Sequence, residues 1–276
     1  MDLLRDEPRL RAFLAVSDAG SFSAAARATG QTQPAVSTLV RALEDRLGTP
    51  LFVRGRAGAR LTPAGTALRP HAAHLLGAAE EARGAVDAAA APGRRRLRIG
   101  GGEVLMTYVL PPALARVRER LPGLEASFTV GDETTVLAAL REHRIDVALV
   151  TDRAPADGLA VEAFAEDRLV LLGASSLAEV DTLVVRAAGA VDRRAAEALL
   201  ERAGVEPPRR LTAATFEAVK ACVAAGLGAA LVPACAAGEM AAIDVGAEPL
   251  KYCAAWRAGE EPAIGAALLD ALRRPG

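Results

Sequence analysis

The stretch Gln31–Gly65, QTQPAVSTLVRALEDRLGTPLFVRGRAGARLTPAG, decides the fold of the first part of the chain. Apolar residues recur in it at helical spacing, which predicts a helix with one buried face: Val36, Leu39, Val40, Leu43 and Leu47. Pro34 lies in the first turn, where its missing N–H is not needed, and Thr32 or Gln33 is expected to cap the free amides. Gly48 is expected to end the helix.

The opposite face of this helix carries short, polar or forked side chains, which can lie against base edges and phosphates. These are Ala35, Ser37, Thr38 and Arg41. A strand at 51–54 and a returning strand at 59–61, joined by a glycine turn, predict a basic hairpin with Arg54, Arg56 and Arg60. The pattern is typical of a DNA-binding protein in which the helix enters the major groove and the hairpin, or wing, holds phosphate or the minor groove.

The flanking segments extend this interpretation. Residues 9–19 predict a first amphipathic helix, and residues 22–30 a short second helix capped by Ser21 or Ser23. The tight turn Gln31-Thr32-Gln33 then leads from this second helix into the third, which is the helix-turn-helix arrangement. Thr62-Pro63 begins a long helix, about 63–91, with a stripe of small residues suited to pairing with a second copy. The alternative is that this long helix packs only on its own domain.

Charge is distributed unevenly along the chain. The net charge of the 276 residues is −1, but residues 1–98 carry +6 and the remainder carries −7. A basic N-terminal part followed by an acidic remainder is typical of a nucleic-acid-binding domain joined to a domain that does not bind nucleic acid. Chance clustering of arginine is the alternative, because arginine outnumbers lysine throughout the chain.

The amino-acid composition and the distribution of apolar residues exclude several classes of protein. Hydrophobic residues make up 51% of the chain, enough to form cores in two or three domains. The charged N-terminus lacks the apolar segment of a signal peptide, and no apolar run is long enough to span a bilayer. Three cysteines do not form a disulfide framework. We therefore expect a cytoplasmic protein.

From Leu97 onward, predicted strands alternate with predicted helices, which favours a mostly parallel sheet covered by helices. The predicted strands are 97–100, 126–130, 146–150, 168–173, 182–185 and 229–232. The predicted helices are 103–121, 134–144, 195–203, 216–225 and 264–273.

These motifs resemble the LysR-type transcriptional regulators. The resemblance is most specific at FLAVSDAGSFSAAARATGQTQPAVSTLVRALEDRLGTPLFVRGRAGARLTPAG and continues in order at LRIGGGEVLMTYVLPPALARVRERLPGLE, HRIDVALV and VAAGLGAALVP. It implies a multidomain α/β chain with a winged helix-turn-helix DNA-binding domain at 1–62 and a linker and dimerisation helix at 63–92. Residues 93–276 would form a periplasmic-binding-protein-like sensor with two α/β subdomains, two crossover strands and an effector cleft.

The resemblance also implies partners and DNA contacts. The partners are double-stranded promoter DNA with a partly palindromic site, a small-molecule effector, and further copies of the chain in a homodimer or homotetramer. The DNA contacts carried over residue by residue are Thr32, Gln33, Pro34, Ala35, Ser37, Thr38 and Arg41, with Arg54 and Arg60 on the wing. The chain departs from the family where Gly173-Ala-Ser-Ser-Leu replaces a His-Pro-Leu loop and where the second subdomain is shorter.

Candidate effector contacts lie where helices begin after strands, because free amides there can meet an anion or a carbonyl. They are Gly101, Gly102, Thr134, Thr135 and Thr215, to which the family pattern adds Thr151. Each threonine can equally be an ordinary helix cap. Glu103 would disfavour a carboxylate ligand unless its side chain points outward.

No other constellation indicates an enzyme, a cofactor or a metal. Gly100-Gly101-Gly102 fails the dinucleotide fingerprint because Leu105 stands at the third glycine position. His71 and His74 have no further ligand nearby, and no nucleophile, base and orienting group come together. Buried, inert thiols are favoured over a redox switch for Cys222, Cys235 and Cys253. Two other hypotheses are a metabolic enzyme with a DNA-binding head and an architectural DNA protein that needs no ligand.

Overall fold

A computed structural model of the chain describes residues 6–55, 58–90, 95–152, 154–155, 157–186, 191–206, 209–260, 262 and 264–273. The chain divides into two units, Met1–Pro92 with Arg141–Arg144, and Gly93–Leu140 with Ile145–Gly276. Arg56, predicted in the wing, lies outside the described residues.

Three helices open the N-terminal unit: α1 (Glu7–Ala19), α2 (Phe22–Thr29) and α3 (Gln33–Leu47). The Ser21 hydroxyl oxygen accepts the Ala24 N–H at 3.1 Å, and the Thr32 hydroxyl oxygen accepts the Ala35 N–H at 3.4 Å. Of the two pairs of capping candidates, the first residue of each therefore caps its helix. Gly48 ends α3 at a φ of 67°, a left-handed conformation that glycine adopts without steric cost.

The wing follows α3 as the antiparallel strands β1 (Phe52–Gly55) and β2 (Gly58–Leu61). The Glu44 carboxylate on α3 fixes its start, because one oxygen accepts the backbone N–H groups of Leu51 at 2.7 Å and Phe52 at 3.2 Å. The long helix α4 (Pro63–Ala90) begins at the predicted Thr62 cap, whose hydroxyl oxygen accepts the Gly65 N–H at 3.0 Å.

The N-terminal core confirms the predicted helix faces. Leu10, Phe13 and Val16 of α1 are buried, and they share one cluster with Val36, Val40 and Leu43 of α3 and with Phe52 of the wing. Leu39 and Leu47 of the predicted stripe are half-buried at its edge. Among the residues of α4 whose burial the structure describes, those buried in this cluster are Ala72, Ala73 and Leu76, all in the first half of the helix.

The C-terminal unit contains the remaining strands and helices. The strands are β3 (Arg95–Gly101), β4 (Leu124–Val130), β5 (Val147–Thr151), β6 (Leu159–Asp167), β7 (Leu169–Leu172), β8 (Thr182–Arg186), β9 (Arg209–Ala213), β10 (Ala230–Pro233), β11 (Ala242–Asp244) and β12 (Leu250–Arg257). The helices are α5 (Leu110–Arg120), α6 (Glu133–Arg141), α7 (Val191–Arg202), α8 (Phe216–Ala224), α9 (Ala234–Ala237) and α10 (Gly265–Arg273).

Two groups of strands make two subdomains. A five-stranded sheet has the order β4-β3-β5-β12-β6, and a three-stranded sheet has the order β10-β7-β11. The parallel pair β8-β9 joins the three-stranded sheet through an isolated bridge between Leu183 and Ala229. The chain enters the second subdomain between β6 and β7, where only Arg168 separates the strands, and returns between β11 and β12. These two crossings confirm the expected pair of α/β subdomains.

The prediction of a mostly parallel sheet is wrong. Strand β3 runs parallel to β4 and β5, but β12 is antiparallel to both β5 and β6, and β7 is antiparallel to both of its neighbours. The five-stranded sheet is mixed because the returning strand β12 inserts between β5 and β6, and the three-stranded sheet is antiparallel. Four strands were not predicted, namely β6, β9, β11 and β12.

Two predicted helices also differ in detail. The helix predicted at 103–121 contains a π-helical turn at Leu105–Val109, closed by the Leu110 N–H on the Leu105 carbonyl. Pro111 and Pro112 follow, and because proline has no N–H they cannot continue the ordinary hydrogen-bond ladder. Helix α6 ends at Arg141 rather than Arg144. His143 then adopts a left-handed φ of 56°, which is incompatible with continuing the helix.

Candidate nucleic-acid interface and effector cleft

The polar face of α3 is open to solvent. Every predicted contact residue on α3 and its cap is exposed, except for the half-buried Ser37: Thr32, Gln33, Pro34, Ala35, Thr38 and Arg41. The Thr38 hydroxyl donates to the Pro34 carbonyl at 2.9 Å, which leaves its oxygen to accept a hydrogen bond. The helix therefore presents short side chains in its first two turns and one long cation in its third, a surface of the kind that fits the major groove.

The wing lies beside α3 within the same unit. Arg60 of β2 is exposed and stands opposite Val53 of β1, which is also exposed, so this side of the hairpin faces solvent. Arg54 lies on β1 opposite Ala59. Because Glu44 binds the first two amides of the hairpin, the position of the wing depends on a side chain of α3 itself. Sequence reasoning missed this role for Glu44.

In the sensor unit, Gly101 and Gly102 end β3 and begin the following helix. A side chain at Gly101 would lie 2.9 Å from the Met106 sulfur and 3.0 Å from the Leu149 carbonyl oxygen, so close packing explains this glycine. The Gly102 carbonyl accepts the Met106 N–H at 3.0 Å, and a side chain at Gly102 would meet nothing within 4 Å.

Glu103 reaches across from this turn to the second subdomain. One of its carboxylate oxygens accepts the backbone N–H of Phe216, the first residue of α8, at 2.8 Å. The other oxygen forms an ion pair with Arg186 at the end of β8. The Glu103 side chain points into the sensor unit, and its carboxylate lies at the N-terminus of α8.

Thr215, predicted as an effector contact, caps α8 through its hydroxyl oxygen, which accepts the Ala218 N–H at 3.2 Å. Beside it, the Tyr108 hydroxyl donates to the Glu217 carboxylate, and the Lys220 ammonium lies 3.3 Å from that carboxylate. The Tyr108 hydrogen bond, with Lys220, lowers the pKa of Glu217, while burial and then the bond to Glu217 raise the pKa of Tyr108. These contacts form a second link between the subdomains.

Thr151, Thr134 and Thr135 lie around the start of α6. Thr151 is buried at the end of β5, and both its N–H and its hydroxyl donate to one Glu133 oxygen, at 2.8 Å and 2.7 Å. Thr134 and Thr135 are exposed. Asp132 caps this helix by accepting the Thr135 N–H at 2.7 Å, so neither threonine serves as the cap.

A small cavity adjoins the Glu103 contact. Its lining includes Val185, Arg186, Phe216 and Val219, and it has a volume of about 20 Å³. A volume of this size holds about one water molecule. A ligand of several heavy atoms would not fit in this cavity unless its lining side chains moved.

Two of the cysteines, Cys235 and Cys253, lie in surroundings that favour the protonated thiol. The Cys235 sulfur lies 3.9 Å from the Tyr252 hydroxyl oxygen, and that hydroxyl donates to Asp167 at 3.1 Å. Although Cys235 as a whole is exposed, desolvation of its sulfur, followed by the negative charge of Asp167, raises the pKa of its thiol. Burial likewise raises the pKa of Cys253. Because the thiolate is the nucleophile, both environments disfavour oxidation.

None of the described helices combines the length and the apolarity required to cross a bilayer.

Two family models match the chain and together span most of it. Residues 8–66 match the model described as "Bacterial regulatory helix-turn-helix protein, lysR family", and residues 90–275 match the "LysR substrate binding domain".

Curated relatives extend over most of the chain. A "Probable hydrogen peroxide-inducible genes activator" of Mycobacterium avium is 34% identical over 238 residues, covering 81% of this chain and 76% of that protein. The "HTH-type transcriptional regulator CbbR" of Rhodospirillum rubrum is 31% identical over 246 residues, covering 83% and 81%.

Solved structures show the same fold. CbnR complexed with its target DNA is 24% identical, with a TM-score of 0.66 over 97% of this chain and 99% of that one. A Corynebacterium glutamicum OxyR C206 mutant is 25% identical, with a TM-score of 0.61 over 97% and 90%.

Proposed function

Because this chain belongs to the LysR family of transcriptional regulators, we propose that it reads a partly palindromic promoter site through α3 and the wing. The family consists of regulators and not of enzymes, with a helix-turn-helix DNA-binding domain and an effector-binding domain. We further propose a cytoplasmic location, where such a site is accessible, and control of DNA binding by a small effector in the sensor.

The proposed DNA binding rests on the exposure of one face of α3. Six of the seven predicted contact residues at the start of α3 are exposed, while the other face of the helix is buried in the core. A surface of polar and small side chains ending in Arg41 supports base-edge readout, to which Arg54 and Arg60 add phosphate contacts.

Selection from a random pool of duplexes with the full-length protein tests this proposal. We expect enrichment of two inverted half-sites, because symmetric dimers present two recognition helices to DNA. Enrichment of no common sequence would support the architectural alternative instead.

We also propose a division of the chain into three functional segments. Residues 1–62 bind DNA, residues 63–92 form the linker and dimerisation helix, and residues 93–276 bind the effector. Support for the middle segment comes from the second half of α4, where Val86 is 67% exposed and Ala82 is exposed on the same side. An exposed apolar stripe on a long helix fits pairing with a second copy. The junction at 92 and 93 lies outside the described residues.

Arg60→Ala is expected to weaken DNA binding by a similar factor for every sequence, about threefold to tenfold, because a phosphate contact carries no sequence information. Fluorescence anisotropy over a series of salt concentrations measures this effect. The slope of log Kd against log salt should become shallower by about one unit. A loss confined to the selected duplex would contradict the assignment of Arg60 to phosphate.

Hydrogen peroxide is expected to leave DNA binding unchanged, although one relative carries the name of a peroxide-inducible gene activator. The raised thiol pKa values of Cys235 and Cys253 keep the reactive thiolate scarce. Anisotropy before and after peroxide treatment, with Cys235→Ser as the control, provides the measurement. A change in Kd that Cys235→Ser abolishes would show that this thiol senses the oxidant.

A further inference from the structure

A position built for an anion lies at the start of α8. The Phe216 N–H points to it from the positive end of the nine-residue helix, and the Arg186 guanidinium reaches it from the end of β8. The same guanidinium lies over the Phe216 ring, 5.8 Å from its centre, so the ring helps to hold the cation in place. Donors from two different elements thus converge on one point.

The chain fills this position with its own carboxylate. The side chains of Glu103 and Arg186 are only 22% and 16% exposed, so their interaction is screened less than a surface ion pair. Glu133 does the same at Thr151, where it takes both the backbone and the hydroxyl donor. Donor groups at one predicted effector position, Thr151, and directly after another, at Phe216, are therefore already bound to acidic side chains of the sensor.

We propose that Glu103 is a built-in ligand of the sensor, occupying the place that the carboxylate of an effector would otherwise take. It links β3 to α8 in the absence of any effector, and it excludes small carboxylates from the Arg186 and Phe216 donors. Glu103 is thus a specificity-determining residue of the cleft. This inference rests on the proposed function, because it assigns a selectivity to the effector-binding domain.

Chemical rescue tests the assignment. In Glu103→Ala, the Arg186 cation and the Phe216 N–H lose this acceptor, and the thermal unfolding midpoint Tm of the full-length protein should fall by about 5 °C. Sodium acetate supplies a carboxylate small enough for the vacated position. Because anions also change protein stability without binding a site, we expect the Tm difference between acetate and chloride of equal ionic strength to be larger for Glu103→Ala than for wild type.

Two variants make the test specific. Glu103→Gln keeps the size of the side chain, and its amide oxygen can still accept the Phe216 N–H, so acetate should find no space and give no rescue. Glu166→Ala removes an exposed carboxylate on β6 and serves as the control for loss of charge. A Tm difference between acetate and chloride that is no larger for Glu103→Ala than for wild type, or that is as large for Glu103→Gln or Glu166→Ala, would overturn the proposal.

The readout stays decisive if the alanine variant does not fold in chloride. It should then refold in acetate alone, and refolding in both salts or in neither would overturn the proposal. No DNA is present in these measurements, so a failure here leaves the proposed DNA-binding function intact. Conversely, a failure of DNA selection would not alter the acetate result.

Discussion

Arg41→Ala should lower the affinity for the selected duplex by about tenfold to a hundredfold, while affinity for a scrambled duplex falls much less. Arg41 is exposed in the third turn of α3, on the same open face as Thr38. A guanidinium there can donate two parallel hydrogen bonds to a guanine, and one such contact provides about 1–3 kcal/mol of discrimination. Anisotropy with both duplexes at one salt concentration gives the two affinities.

The control for Arg41→Ala is Arg41→Lys, which keeps the positive charge but loses the fork of donors. We expect the lysine variant to retain most of its affinity for the scrambled duplex and to lose preference for the selected one. If the lysine variant retained wild-type specificity, Arg41 would act through charge alone, and its assignment to base edges would be wrong.

Glu44→Ala should weaken DNA binding about tenfold, although it removes a negative charge from a surface that binds a polyanion. The Glu44 carboxylate accepts the N–H groups of Leu51 and Phe52, so its loss leaves two amides without this acceptor and releases the start of the wing. Breaking such contacts costs about 2 kcal/mol. Affinity for the selected duplex and the Tm of the full-length protein should fall together.

Asp45→Ala is the matched control, because it removes the same charge from the neighbouring, exposed position of α3. Electrostatics alone predicts that both variants bind DNA as tightly as wild type or more tightly. If Glu44 positions the wing, only Glu44→Ala should bind DNA more weakly than wild type. Equal affinities for the two variants would show that Glu44 does not position the wing.

Local signals explain why the N-terminal unit could be predicted well from sequence. Helices α2, α3 and α4 begin at side chains that cap nearby amides, such as Thr32, and α3 ends at a glycine with positive φ. Both signals involve residues three or four positions apart, so they can be recognised in the sequence without knowledge of the rest of the fold. The Glu44 contact spans seven and eight residues from helix to wing, and no local rule predicts it.

The crossover strands could not be predicted because their sequences do not resemble strands. Strand β6 reads LAVEAFAED and β12 reads LKYCAAWR, and alanine favours helices over strands. Strand β12 is buried over most of its length between β5 and β6, so tertiary packing determines its conformation. Its partners lie far away in the sequence, and their pairing depends on the complete sheet.

Contacts in the effector cleft between residues that are distant in the sequence could not be predicted either. The sequence located helix starts at Glu103, Thr134 and Thr215, because strand-to-helix junctions are local features. It could not pair Glu103 with Arg186, 83 positions away, or Thr151 with Glu133. These pairings decide which donors are already bound to acidic side chains. The Glu103 pairing arises only when the two subdomains have folded, and the Thr151 pairing only when α6 has packed on β5.

If α3 reads DNA sequence, the wild-type protein should have very different affinities for two duplexes. At physiological salt, we expect the selected duplex to bind at least about a thousandfold more tightly than a scrambled duplex of equal length and composition. A ratio of the two affinities near one would show that α3 does not read the sequence, because phosphate contacts alone would then explain all of the binding.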